Sequence, residues 1–231
     1  MYVLRLKYRK IGALKFVSHL ETLKMVERSF RRAKLPLSFS QGFNPHPKMS
    51  FAAPLSVGIA SDGEYMDVEL DEKIDIDEFI KDHSKYFPKN FILVKGKYVE
   101  GKKKLMSLVS MASYAVTFET EKPYTKEEVE NEIKKFMSLE DIILERVNKR
   151  KKKVVRNIRP SVKDIKVLQY VDKIMLKLDL STGSVENLNP KTAVEKINEH
   201  TDIDVVLDTI RVHRIEMFAE KNGKYVTLMD Y

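Results

Sequence analysis

Two histidines, His19 and His46, lie among hydroxyls and basic residues in the first fifty positions of the chain. An imidazole titrates near neutrality, so a pair meeting beside Ser18, Ser40 and Lys48 would form an acid/base set suited to a ribose hydroxyl. The competing role of a histidine at a helix start is capping or packing, and spacing alone leaves both open. His46 belongs to the run Gln41-Gly-Phe-Asn-Pro-His-Pro-Lys48. Its two prolines fix their own φ angles and restrict Asn44 and His46 before them, while Gly42 permits a sharp turn. A loop stiffened in this way loses little entropy when it grips a partner. The same prolines would also serve a plain rigid connector. Ser40, Gln41, Gly42, Phe43, Asn44, His46 and Lys48 are accordingly candidate contacts for a ligand. Asp62-Gly63 adds a carboxylate nearby, although Asp-Gly between strands is first a hairpin signal.

The ligand suggested by charge is a polyanion. Residues 1–60 hold eleven Lys and Arg against Glu21 and Glu27, a local net of +9, whereas the whole chain of 231 residues carries +8. Lys24, Arg28, Arg31 and Arg32 recur at the spacing that gathers side chains on one side of a helix, so they form a basic ridge fit for phosphates. A second basic run, Lys149-Arg-Lys-Lys-Lys153, extends through Arg156 and Arg159 to Lys163 and Lys166; a solvated loop is the ordinary reading of such a run, and an extension of the phosphate track, with Arg159 as a contact, is the functional one. Arg211-Val-His-Arg214 sets His213 and Arg214 on a predicted strand as further candidate contacts for nucleic acid. Tyr2, Tyr8, Phe39, Phe43 and Phe51 are available for base stacking, against the usual core role of aromatics.

Composition narrows the chemistry. The chain has no cysteine, so it builds no disulfide, thiolate nucleophile, zinc knuckle or iron–sulfur cluster by itself. Five histidines remain, and no pair has the spacing of a local metal site. No metal and no cofactor is expected. Apolar residues make up 43% and charged residues 33%, without an apolar run of membrane-spanning length or a secretory-type start. A cytoplasmic protein with no membrane partner is expected.

These residues need elements to hold them. Period-2 alternation predicts a strand over Tyr2 to Tyr8, and Ser18 is placed to cap a helix reaching about Lys34, with Leu20, Leu23, Val26, Phe30 and Ala33 as its buried stripe. A strand over 48–59, a turn at Gly63 and an alternating strand over 65–70 follow. A helix over 76–86 and a strand over 91–99 complete the order strand, helix, strand, strand, helix, strand. Glu100-Gly-Lys-Lys-Lys104 reads as a linker. The order then returns: strand 114–119, helix 125–137, strand material over 142–170, strand 173–180, helix 190–200 and strand 205–216. A last hairpin turns at Asn222-Gly223. The expected fold is α+β, two tandem ferredoxin-like (βαββαβ) domains with antiparallel sheets over 1–104 and 105–231.

Phe16-Val-Ser-His-Leu-Glu21, Glu27-Arg-Ser-Phe-Arg-Arg-Ala33, the run from Leu35 to Lys48, and Pro54-Leu-Ser-Val-Gly-Ile-Ala-Ser61 together resemble the radical SAM-linked protein family. Members of that family are fused to, or encoded near, radical S-adenosylmethionine enzymes. Ile158-Arg-Pro160 and Val212-His-Arg214 are similar to its later signatures, with Asn157 where an Asp is expected. The resemblance implies a radical SAM enzyme as protein partner, and that partner must bring the cluster. The leading expectation is an accessory RNA-binding protein, without catalysis of its own, that presents tRNA or rRNA for modification. One alternative is a metal-independent ribonuclease or nucleotide-modifying enzyme using His19 and His46. Another is a module that docks its basic face on the radical SAM partner.

Overall fold

A computed structural model describes residues 1–100, 103–147, 153–169 and 172–231. The chain divides into two compact units, Met1–Met111 with Arg214–Tyr231, and Ala112–His213. The expected boundary at 104/105 thus lies inside the first unit, and the last eighteen residues return to it. Each unit is mixed α+β with mostly antiparallel pairing.

In the first unit, strand β1 (Tyr2–Lys10) leads to helix α1 (His19–Arg32), then to the short strand β2 (Met49–Phe51) and the long strand β3 (Ala60–Leu70). Helix α2 (Ile76–Asp82), strand β4 (Phe91–Val99) and the one-turn helix α3 (Leu105–Leu108) follow. Strand β1 lies between β4 and β3, antiparallel to both. Helix α1 starts where its cap predicts, with Ser18 Oγ accepting from the Glu21 amide at 3.3 Å. Its buried face differs from the expected stripe. Thr22, Val26, Ser29 and Phe30 are buried, while Leu20 is 69% exposed.

The largest departure falls on residues 48–70. The strand expected over 48–59 shrinks to three residues, and β3 continues through Gly63 where a turn is expected, with a shift of register against β1 between Ser61 and Glu64. The reason lies far along the chain. A Cβ at Gly63 would come 2.5 Å from the Ile215 carbonyl oxygen and 2.6 Å from the Glu216 Cα, so glycine is the residue that admits this close approach.

The core of this unit is aliphatic residues from the strands joined to an aromatic column. Leu4, Leu6, Met66, Val68 and Leu70 meet Val26 and Phe30. Tyr8 stacks on Phe91 at 4.5 Å, Phe91 on Phe87 at 5.0 Å, and Phe30 meets Phe87 edge-on at 5.7 Å. Such pairs each add about 0.5–1.5 kcal/mol beyond area burial.

The second unit contains strand β5 (Val109–Phe118), which enters it at Ala112, helix α4 (Lys126–Ser138), strands β6 (Ile143–Val147) and β7 (Lys153–Asn157), and strands β8 (Val162–Gln169) and β9 (Ile174–Ser181). Helix α5 (Pro190–His200) precedes strand β10 (Arg211–Lys221), which carries the chain back into the first unit, where β11 (Lys224–Thr227) pairs with it. β9 lies between β5 and β8, and β6 and β7 form a separate hairpin. The undivided strand material expected over 142–170 is therefore three strands. Thr125 and Glu128 close a reciprocal capping box at the start of α4. The β10–β11 turn has positive φ at both Asn222 and Gly223, as the Asn-Gly pair requires.

Charge is buried in the first unit, and most of it meets an opposite charge; Lys10 instead donates to the Val17 carbonyl at 2.7 Å. Arg5 grips Asp67 through Nε and Nη2 at 2.8 and 2.9 Å and donates Nη1 to the Leu228 carbonyl at 2.9 Å. Lys7 pairs with Glu216 at 2.5 Å, and the Tyr65 hydroxyl donates to the same carboxylate at 2.8 Å. Arg214 donates to Glu64 at 2.9 Å and to the Pro54 carbonyl at 3.2 Å. Burial, with the Glu64 charge adding to it and Arg214 opposing, holds the Tyr8 phenol well above the usual range. Burial followed by Glu216 does the same for Tyr65.

Two outcomes follow. Glu64→Ala leaves the Arg214 guanidinium buried without its carboxylate and should lower unfolding free energy by about 3–5 kcal/mol in a denaturant titration; adding Arg214→Met should restore part of it. Both phenols have folded pKa values above their unfolded ones, so their contribution is complete below pH about 10 and is lost above it, at about 1.4 kcal/mol per pH unit for each group. The pair of substitutions Tyr8→Phe and Tyr65→Phe should flatten that alkaline decline in a stability-versus-pH series.

Candidate functional site

The Pro-rich run closes into a clamped loop. Phe39 bridges Pro47, the Ser40 amide donates to the His46 carbonyl at 2.9 Å, and the His46 amide donates back to Ser40 Oγ at 3.0 Å. The Lys48 amide then donates to Ser38 at 2.9 Å, and Ser38 and Lys48 both bond the backbone of Glu69 on β3. Gln41, Gly42, Phe43, Asn44 and Pro45 form the tip and are exposed, with Gly42 at φ +124°. Phe43 is fully exposed, at 112% of the reference value. The Arg31 guanidinium lies over the Phe39 ring at 5.1 Å and braces the loop base against the end of α1.

The basic ridge is exposed as expected, and its Arg31 end meets the base of this loop. Lys24 and Arg31 pair with Glu21 and Glu27 one turn away, both at 2.9 Å. Exposed helix pairs of this kind are weak because solvent and salt screen them, so they yield readily to a phosphate. Arg32 donates to the Tyr86 carbonyl and to Ser29 Oγ, which ties it to the fold. Arg28 forms no ion pair among the described residues.

Much of the amino-terminal charge is spent internally. Arg5, Lys7, Arg9, Lys24, Arg31 and Lys48 all form ion pairs, four of them with Asp62, Asp67, Glu69 or Glu216. The six carboxylates of residues 61–72 follow immediately on the basic segment, so counting charge only as far as residue 60 overstates what remains for a ligand.

A second feature of this unit is a cleft of about 1300 Å³. His19 and Leu23 of α1, Lys48, Phe51, Pro54, and the ends of β1, β3 and β4 line it, together with Lys103, Lys104 and Tyr231. His19 meets the Phe51 ring edge-on at 5.3 Å. His46 is on the exposed loop and is not part of this lining, so the cleft takes in one imidazole of the expected pair. Sequence reasoning passed over Lys97, Tyr98, Glu69 and Asp67; alternation along β3 and β4 was the available signal, but the face it shared with β1 was not.

Two of the remaining candidates, Arg214 and Arg159, are engaged inside the fold. Arg214 is 5% exposed and faces Glu64. Arg159, in the second unit, donates to the Val162 and Met137 carbonyls at 2.8 and 2.7 Å, fastening the end of α4. Asn157 accepts from the Ile142 and Arg159 amides and donates to Asp141, so an amide suits this turn better than a carboxylate. His213 is half-buried in that same unit. Of the basic run at 149–153, positions 149–152 lie outside the described residues, as do Gly101 and Lys102 of the expected linker; Lys153 pairs with Glu145 at 2.8 Å. No helix among the described residues is long and apolar enough to cross a membrane.

A family model described as an uncharacterized protein conserved in bacteria (DUF2344) matches residues 3–190. No curated protein matches. Among solved structures, the chain is similar to one chain of the crystal structure of a Cbf5-Nop10-Gar1 complex, with a TM-score of 0.53 and 10% identity. The likeness covers 95% of this chain and 50% of that one, and it is a likeness of fold.

Proposed function

We propose that this chain, which belongs to the bacterial family DUF2344, is an accessory RNA-binding protein that offers structured RNA, tRNA or rRNA, to a modifying enzyme. The observation that carries the reading is Phe43. A phenyl ring left wholly in water, on a loop whose prolines and Ser40 clamp have already fixed its backbone, contributes nothing to folding. With the exposed Lys24, Arg28 and Arg31 of the same unit it offers the pairing used on single-stranded RNA, a ring for a base and cations for its phosphates.

Topology agrees with such a role. In the first unit β4, β1, β3 and β2 stand in the order 4-1-3-2 of a split βαβ sheet, with β2 reduced to three residues, and we read each unit as a variant of the ferredoxin-like fold. The partner would be a radical SAM enzyme, on the strength of the sequence resemblance. A ribonuclease built on His19 and His46 is the weaker reading, because only His19 lines the cleft.

Affinity for total cellular RNA should fall steeply with salt, and each of Lys24→Ala, Arg28→Ala and Arg31→Ala should reduce the slope of log K against log salt by about 0.7–0.9. Phe43→Ala should cost about 1–3 kcal/mol of RNA affinity without moving the unfolding midpoint. Salt-insensitive binding, or none, would sink the proposal. Co-purification with an enzyme partner that survives nuclease treatment, without RNA affinity, would assign the loop to protein docking instead.

A further inference from the structure

Strand β4 faces β1 with like charges in register: Lys97 lies across from Arg5, and Lys95 across from Lys7. Directly opposed like charges weaken an antiparallel pair. The remaining elements relieve only β1, since Asp67 takes Arg5 and Glu216 takes Lys7. Lys95 and Lys97 form no ion pair among the described residues. Of the two, Lys97 lines the 1300 Å³ cleft, half-buried. Its ammonium is held below the usual lysine range, first by burial and then by Arg5, with Lys221 and Lys95 adding to the effect and Asp230 opposing it.

An acceptor waits in the same cleft. Glu69 Oε2 is buried and takes no hydrogen bond; its nearest cation, the Lys48 ammonium, stands 3.4 Å away, an ion pair without hydrogen-bond geometry. Around these groups much of the lining is apolar: Val3 and Val99 face each other in register, two residues along from Arg5 and Lys97, and Met106 and Tyr231 contribute beside them. The volume exceeds the roughly 300–1,000 Å³ of ordinary small-molecule sites.

We propose that this cleft binds a nucleoside monophosphate unit, with the phosphate on Lys97 and the base on the apolar wall, its exocyclic N–H groups turned to Glu69. An inorganic anion would leave the wall bare, and a fatty carboxylate would leave Glu69 Oε2, ion-paired with Lys48, still without a hydrogen-bond donor. A nucleotide satisfies the cation, the wall and the acceptor together. The unit arrives either as a free nucleotide or as the 5′-phosphorylated end of an RNA, and the chemistry recognised is the same. The inference does not depend on the Phe43 loop.

Calorimetric titration of the full chain with adenosine 5′-monophosphate, adenosine and inorganic phosphate tests it. The monophosphate should bind more tightly than either fragment. Lys97→Met should weaken it at least about tenfold, as expected for one lost charge-assisted hydrogen bond. The melting temperature of that variant should not fall, because the opposition to Arg5 is removed. Phe43→Ala should leave the monophosphate affinity unchanged. A short RNA bound more tightly with a 5′-phosphate than with a 5′-hydroxyl assigns the RNA end; monophosphate binding without that preference assigns the free nucleotide. Unchanged binding by the folded Lys97→Met protein, or wild-type protein that binds neither the monophosphate nor the 5′-phosphorylated RNA, overturns the proposal.

Discussion

Charge taken out of water must meet its opposite, and in the first unit this requirement joins segments that are remote along the chain. Arg5 and Lys7 on β1 point into a face where solvent cannot screen them. Asp67 answers the first from the neighbouring strand, and Glu216 answers the second from more than two hundred residues later. Glu64 creates the reverse demand, met by Arg214. Truncating one member of such a pair strands the other, a far larger penalty than losing a surface contact. The return of the last eighteen residues to this unit therefore completes its electrostatics as well as its sheet.

The same requirement separates spent charge from available charge. Cations on β1 belong to the interior, and their partners leave them little to give a ligand. On the outer side of α1, Lys24 and Arg31 form ion pairs only one turn along the helix, and the clamped loop that Arg31 braces carries an aromatic ring that folding does not use. On β4 the balance fails in the other direction, with Lys97 opposed to Arg5 and no carboxylate of its own. Departures from local consistency are where function is to be sought, because stability alone gives no reason to keep them.

Several site features were legible in one dimension. Ser18 as a cap, the ridge at 24, 28, 31 and 32, and the loop between Ser40 and Lys48 follow from helix periodicity and proline stereochemistry, which act within a few residues. The cleft was not legible. Its wall joins α1, β2, β3, β4 and the stretch around α3, and nothing local says that Lys97 will stand opposite Arg5. Gly63 misled for a related reason: Asp-Gly signals a turn by local preference, and the approach of Ile215 and Glu216 overrides it.

By itself, then, the amino-acid sequence determined the α+β character, the helix caps, the Asn222-Gly223 turn, the absence of cysteine chemistry and the outward basic ridge, since each depends on near-neighbour sterics or composition. Tertiary structure alone decided which cations are consumed, that Arg214 is interior, that β3 continues through Gly63, and that Lys97 and Glu69 share a cleft. These depend on register across strands and on contacts between distant segments, and Coulomb energy in a poorly screened interior is set by separation in space, not by separation along the chain.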